Sequence, residues 1–437
     1  LKILLIITPF HPSQTPNTMR WIPIMKYYAK QGIETTVLTT KNRSIGSKND
    51  LKDYQVYNVG YNTLLDWFYF TFKIKKRRQI PNRNSGVDRP KSGNKLLQKF
   101  IDLTWRKFYW PDGSMLFYQP GIKEAIKIVS YDKDITHIVS VGLPFTCHLI
   151  ASQLKEKYPH LYWHQDIEDP FSYSEEFWVN NFKKYQQNNT DAERKVFELS
   201  DSISVTNSRA KQKYETLFHE SAHKLSVIHP MFSDYENNIS LDLALDNDKI
   251  HIGYFGSFYE KVRSPEPLLD FLDYVREHDI DKIEQWHFHF FGQQSRFSIP
   301  IFEAYAELKP YIRLHGFYDR DISISAMRQM NVLLNVGNST DYHLPSKVVD
   351  YLYINKPLIN IKSIDTDATA LFLDNRVDIC NLLLQEDNYK ALSKTFFAFI
   401  DNAKMNTEVS ESNIAAYTTE VIGQKYLQAM QVDQELL

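Results

Sequence analysis

"LKILLIITPF", Leu1 to Phe10, is unbroken in its apolar character from Ile3 to Ile7 and stops at a Thr-Pro turn. A surface helix would interrupt such a run with polar residues, and a strand with one wet face would alternate. A continuous run of this length therefore reads as a strand buried on both faces, the kind found in parallel sheets. A helical stretch from Thr18 to Gln31 follows, closed by Gly32, and "IETTVLTT" reads as a second strand. The loop after the first strand, "TPFHPSQTPNT", contains no glycine, so the Gly-x-Gly-x-x-Gly fingerprint of dinucleotide binding is absent.

The pattern continues outward from this strand-helix-strand opening. "THIVSVG" (136–142), "LYWHQDIEDP" (161–170), "SISVTN" (202–207) and "KLSVIHP" (224–230) read as further strands, each followed by a helical or loop segment. The polar stretch "SDYENNISLDLALDNDK" reads as a linker. After it the alternation restarts with "IHIGYFGSF", the amphipathic "PEPLLDFLDYVREH", "EQWHFHFFG", "YIRLHGFY", "VLLNVG" and "PLINI". The expected fold is α/β, with two doubly wound Rossmann-like domains facing a cleft. The first spans 1–238, joined by a C-terminal helix at 411–437, and the second spans 248–410. A chain of 437 residues is indeed too long for one ordinary core.

With 43% hydrophobic and 24% charged residues the composition is that of a globular enzyme. The net charge of -2 conceals a local excess, because Lys73 to Lys107 holds twelve basic residues against two acids. Flanked by "LLDWFYFTFKIKKRR" and "LLQKFIDLTWRKFYW", the segment 64–110 reads either as a contact for an anionic membrane surface or as a solvated loop over an aromatic satellite core. No nucleic-acid module surrounds it. Cys147 and Cys380 show no metal-type spacing and suit a reducing, cytoplasmic setting. No signal peptide is visible, and the apolar runs are strand-sized, so a membrane role would be peripheral, at the inner face.

"HLPSKVVDYLYINKPLINI", His343 to Ile361, sets Lys347 and Asp350 one helical turn apart. The plain reading is a solvated i, i+3 ion pair. The alternative is a phosphate site. Pro345 suits the first helical position and Leu344 cannot cap, so the helix start keeps free N–H donors and a positive dipole end. Lys347 would add a charge there, and Asp350 could accept hydrogen bonds from a ribose diol. A second phosphate element is "GYFGSFYEKVRSPEP", with Gly253 and Gly256 after a strand, Ser257 in a tight turn and Arg263 before the next helix. Glycine permits close backbone approach, and arginine grips phosphate oxygens in a bidentate way.

On these residues the chain resembles the GT-B fold glycosyltransferases, of the family 4 retaining type used in bacterial surface polysaccharide assembly. The C-terminal half carries it in "YFGSFYEKVRSPEPLLDFL", "IRLHGFYDR", "MNVLLNVG" and "LPSKVVDYLYINKPLI", and the N-terminal half in "WPDGSMLFY", "HQDIEDPF" and "LSDSISVTNSRAKQKY". The resemblance implies an acceptor-binding first domain and a donor-binding second one. The reaction would move a sugar from a nucleotide diphosphate sugar to a lipid-diphosphate-linked oligosaccharide, as in O-antigen or capsule synthesis, with no cofactor. It implies that Gly256, Ser257, Arg263, Ser346 and Lys347 hold the diphosphate and Asp350 the ribose. Gly316, Phe317 and Tyr318 would meet the base, and Asp341 and His343 would lie near the sugar. Two positions depart from the family: His343 stands where many relatives have an acid, and Glu168 where relatives usually have arginine.

Chemistry of this kind needs the leaving diphosphate stabilised by fixed positive groups, here Arg263 and Lys347. On the acceptor side Asp166 could orient or deprotonate a hydroxyl, beside His11, Arg20, His148 and Asp169. The competing readings are that Asp166 or Asp169 caps the element before Pro170 and that His148 is an ordinary helix histidine. Asp-x-Asp pairs at Asp132/Asp134, Asp246/Asp248, Asp319/Asp321 and Asp365/Asp367 lack a third ligand, so no metal is expected in catalysis. Two other functions fit the same residues: a nucleotide-sugar epimerase of this fold, and a non-catalytic sugar-nucleotide or glycan-binding protein.

Overall fold

Ile3, Leu4, Leu5 and Ile6 are all buried, on alternating faces of one strand, in the computed structural model. It describes residues 1–13, 15–41, 54–72, 105–174, 176, 179–232, 241–373, 378–405 and 414–432. Those residues form two compact units, one from 1–72, 105–232 and 417–432, the other from 241–416. The first runs β1 (Lys2–Ile6), α1 (Pro16–Lys30), β2 (Glu34–Thr39), β3 (Gln55–Asn58), α2 (Leu64–Thr71), α3 (Met115–Tyr131), β4 (Ile135–Gly142), α4 (Thr146–Lys157), β5 (Tyr162–Ile167), α5 (Phe182–Leu199), β6 (Ser202–Val205), α6 (Ser208–Leu217) and β7 (Leu225–Val227). The second runs β8 (Ile250–Phe255), α7 (Glu266–His278), β9 (Trp286–Phe291), β10 (Ile312–Gly316), α8 (Arg320–Gln329), β11 (Val332–Val336), α9 (Lys347–Ile354), β12 (Leu358–Lys362), β13 (Ile379–Leu383) and α10 (Tyr389–Met405). A last helix, α11 (Thr419–Ala429), belongs to the first unit.

Both sheets are parallel throughout, with strand orders β3-β2-β1-β4-β5-β6-β7 and β10-β9-β8-β11-β12-β13. The two faces of β1 enter separate cores. Ile3 and Leu5 pack with Trp21, Ile24, Tyr28 and Tyr426, from α1 and α11, while Leu4 and Ile6 pack with Phe117, Ile128, Ile150 and Leu154, from α3 and α4. Burial of each such side chain contributes about 1.5–3 kcal/mol. The second unit has one large aromatic core, including Phe271, Trp286, Phe288, Phe290 and Phe396.

α11 completes the first unit because its backbone comes very close to α1. A Cβ on Gly423 would lie 2.7 Å from a ring carbon of Tyr27, and Tyr28 Oη donates to the Gly423 carbonyl at 3.0 Å. Three elements differ from the sequence reading. The strand read as 161–170 ends at Ile167, and the helix expected to open with Pro345 begins at Lys347. β3 was not anticipated, because an edge strand that is half exposed carries no continuous apolar run.

Candidate functional site

In a doubly wound sheet the loops leaving two neighbouring strands diverge where the strand order reverses, and that split is where ligands bind. In the second unit the reversal lies at β8, which pairs with β9 on one side and β11 on the other. The loops after β8 and β11 carry Gly256, Ser257 and Arg263, and Asn338, Asp341 and His343.

Tyr351 of α9 sits in the split. Its hydroxyl accepts from the Phe255 N–H at 3.1 Å and donates to the Leu334 carbonyl at 3.2 Å, spanning the strands just past their last paired residues. Glycine is required beside it. A Cβ on Gly292, at the end of β9, would stand 1.8 Å from the Gly256 carbonyl oxygen, and one on Gly256 would stand 2.7 Å from Tyr254 Oη. The β8 loop is therefore drawn tightly over the strand ends.

Arg263 links the two loops. Its Nε and Nη2 donate to Asn338 Oδ1 at 3.1 and 2.6 Å, and its Nη1 donates to Tyr254 Oη at 3.2 Å. Asn338 in turn donates to the His343 carbonyl at 3.0 Å, and His343 Nδ1 lies 2.7 Å from Thr340 Oγ1. The partners of Arg263 are neutral, and among the described residues no carboxylate lies within ion-pair distance of its guanidinium. A cation held half-buried by neutral groups is a site for an anion.

The start of α9 stands beside this pair. Ser346 is its N-cap residue and makes no side-chain capping bond, which leaves the first-turn donors to other partners. The Lys347 ammonium is 3.7 Å from Asp350 Oδ2, and burial pulls its pKa down while Asp350 opposes the shift. Asp350 is 1% exposed and receives a 2.6 Å hydrogen bond from Arg320 Nη2, at the start of α8. The i, i+3 pair read from the sequence thus exists, but it belongs to a triad around the buried Asp350, with an arginine that the sequence reading did not single out. Gly316 takes φ +76°, outside the range that other residues favour, and its carbonyl accepts from Gly292 N at 2.8 Å. Next to it Phe317 is 57% exposed, and the Tyr318 ring lies 5.8 Å from that of Phe291.

The first unit reverses its strand order at β1, between β2 and β4. Asn17 Nδ2 donates across this split to the Leu143 carbonyl at 3.1 Å, and His11 lies half-buried in the β1 loop. Asp112, of "WPDGS", caps α4 by accepting from Thr146 N and Oγ1, both at 2.8 Å. Asp166 is 1% exposed. Its Oδ1 accepts from Arg20 at 3.3 Å, Ser204 at 3.0 Å and Tyr426 at 2.8 Å, and its Oδ2 from Trp21 at 2.8 Å. A carboxylate so engaged ties α1 and α11 to the sheet. Arg20 is 4% exposed and spent on the same knot. His148 is also internal: its Nδ1 lies 2.7 Å from Ser140 Oγ, its ring fills the space that a Gly142 side chain would take, and burial lowers its pKa to about 3.

Glu168 and Asp169, just past the end of β5, are closer to the surface. Burial, with Arg20 opposing, raises Glu168 to about 7 and Asp169 to about 6. Arg20 Nη2 stands 3.9 Å from Glu168. Most of the basic segment, 73–104, lies outside the described residues. On its flanks Trp67, Phe72 and Phe108 are 40%, 58% and 67% exposed, and no described helix is long and apolar enough to cross a membrane.

No protein-family model and no curated protein matches the sequence. Solved structures do match in fold. The structure of Anabaena Alr3699/HepE in complex with UDP-glucose aligns over 98% of this chain and 99% of its own, with a TM-score of 0.61 and 12% identity. The lipopolysaccharide outer core galactosyltransferase WaaB aligns over 99% of both chains, with a TM-score of 0.54 and 11% identity. The UDP-GlcNAc 2-epimerase from Neisseria meningitidis bound to UDP-GlcNAc aligns over 99% of this chain and 100% of its own, with a TM-score of 0.51 and 11% identity. These likenesses establish the GT-B fold, with its two parallel-sheet α/β units.

Proposed function

We propose that this protein is a retaining glycosyltransferase of the family 4 type. It moves a sugar from a nucleotide diphosphate sugar to a lipid-linked oligosaccharide during bacterial surface polysaccharide synthesis. The observation that carries this reading is the Arg263 guanidinium, held at the strand-order reversal by Asn338 and Tyr254 with no carboxylate within ion-pair distance among the described residues. A diphosphate there completes the charge balance, and the Lys347 ammonium and the α9 amides, from Ser346 onward, lie on the adjoining loop. Fixed cations of this kind stabilise a leaving diphosphate without reorganisation, the role a metal ion takes in other transferases. Asp350 orients Arg320 and Lys347 on the ribose side of the site, Gly316 to Tyr318 meet the base, and Asp341 and His343 face the sugar. Two fold neighbours, HepE and the Neisseria epimerase, hold UDP-sugars, which supports a nucleotide sugar as ligand.

In the first unit His11, in the β1 loop, is a proposed acceptor-side residue, and Glu168 and Asp169, past the end of β5, are the proposed acceptor-side carboxylates. Their raised pKa values suit proton transfer near neutral pH. The exposed aromatics flanking 73–104 and the basic residues within it support peripheral binding to an anionic inner leaflet, each cation adding roughly 1 kcal/mol. Neutralising Lys73, Lys75, Lys76 and Arg77 together should abolish co-sedimentation with anionic vesicles. Undiminished sedimentation would remove the membrane from the proposal.

Arg263→Ala should weaken nucleoside diphosphate binding by roughly 1.5–3 kcal/mol, about 10- to 150-fold, in calorimetry. An unchanged affinity would end the assignment. Epimerisation is the second reading, favoured by the epimerases among the fold neighbours. Product analysis separates the two: transfer requires an acceptor and releases nucleoside diphosphate, while an epimerase alters the sugar nucleotide with no acceptor present.

A further inference from the structure

The three neighbouring strands β8, β9 and β10 carry four histidines on one face: His251 and His287 at the openings of β8 and β9, His289 in the middle of β9, and His315 at the close of β10. His251 Nδ1 lies 2.9 Å from His289 Nε2, and His289 Nδ1 lies 2.8 Å from His315 Nε2. His251 Nε2 is 2.8 Å from the Asp246 carbonyl, which can only accept. That carbonyl sets the tautomers of the whole row. His251 carries its proton on Nε2, its Nδ1 lone pair accepts from His289 Nε2–H, and His289 Nδ1 accepts from His315 Nε2–H. His287, the strand partner of His251, is half-buried beside them. One ring nitrogen from each of His251, His287 and His289 falls within a 4.8 Å sphere of separations.

We infer that His251, His287 and His289 form a binding site for a transition-metal dication, Zn2+ by preference, that clamps β8 to β9. Three imidazoles are a ligand set that zinc accepts, with water in the fourth position. The surroundings already supply the orienting partners that metal-bound histidines need: the Asp246 carbonyl behind His251 and the His315 ring behind His289. Binding needs no net proton release. The proton between His251 Nδ1 and His289 Nε2 gives way to the ion, His289 takes a proton on Nδ1, and His315 shifts its own from Nε2 to Nδ1. Arg313 Nη2, 3.3 Å from His287 Nε2, is an exposed side chain that also donates to the Lys309, Pro310 and Ile312 carbonyls, and can withdraw onto them.

The test uses the full chain, stripped with a chelator and titrated with ZnCl2 by calorimetry, and with Co2+ followed by visible absorption. One equivalent of Zn2+ should bind, Co2+ should develop the intense bands of a tetrahedral nitrogen-rich site, and zinc should raise the melting temperature. His287→Ala, at a half-buried position, should lower zinc affinity at least tenfold, and His315→Phe should lower it 10- to 100-fold, about the range for loss of an orienting partner. Nucleoside diphosphate affinity should be unchanged in His287→Ala, since His287 lies at the opening of β9 and the donor loops leave the opposite ends of β8 and β9. Absence of stoichiometric binding, or zinc affinity unaltered in His287→Ala, overturns the inference and leaves the donor-site proposal untouched.

Discussion

The Tyr351 hydroxyl is a single atom that bridges the strand split, accepting from the Phe255 N–H and donating to the Leu334 carbonyl. Tyr351→Phe should cost about 1–3 kcal/mol, the penalty for leaving buried polar groups unpaired. It should also weaken nucleotide binding; denaturation and calorimetry read the two effects separately. Glu168 makes a pH prediction at the same scale. Its folded pKa, about 7, is raised above the unfolded value near 4.5, chiefly by burial. The folded state therefore holds a proton that the unfolded chain has lost, and this contribution to stability declines as pH rises from about 4.5 through 7. Glu168→Gln should remove the decline, so its melting temperature should gain on the parent between pH 5 and pH 8. A constant difference across that range would mean that the carboxyl titrates normally.

Among elements, the ends of β8 and β9 and the start of α9 set the candidate donor site. Gly292 is the strictest position, since any side chain would enter the Gly256 backbone. Gly292→Ala should displace the β8 loop and reduce nucleoside diphosphate affinity by at least tenfold in calorimetry, with the other sheet's circular dichroism contribution retained. Of this site, Gly256, Ser257, Arg263, Ser346 and Lys347 were legible as residues because glycine turns and cations after apolar runs have a local signature. Asn338, Arg320 and Gly292 were not. Each acts through a partner distant in sequence, 75 residues away for Arg263 with Asn338 and 30 for Arg320 with Asp350, and nothing in the local pattern announces such pairs.

For the whole molecule, stability rests on strands buried on both faces, and Leu5→Ala at the centre of the first sheet should cost about 2–5 kcal/mol in denaturant unfolding. The two-sheet plan follows from the sequence alone. Unbroken apolar runs such as Ile3 to Ile7 can be dry only between two layers of helix, and their repetition on either side of a polar stretch demands two such sheets. What only the tertiary structure decided is which polar groups serve the fold and which remain for chemistry. Asp166 reads as a strand-end carboxylate open to substrate, yet Tyr426, 260 residues further on, and Arg20 close over it. Four histidines spread from His251 to His315 become one row because parallel pairing sets the strands side by side. Burial on both sides of a strand is written into neighbouring residues, whereas the partner of a buried charge is chosen by packing across the whole chain.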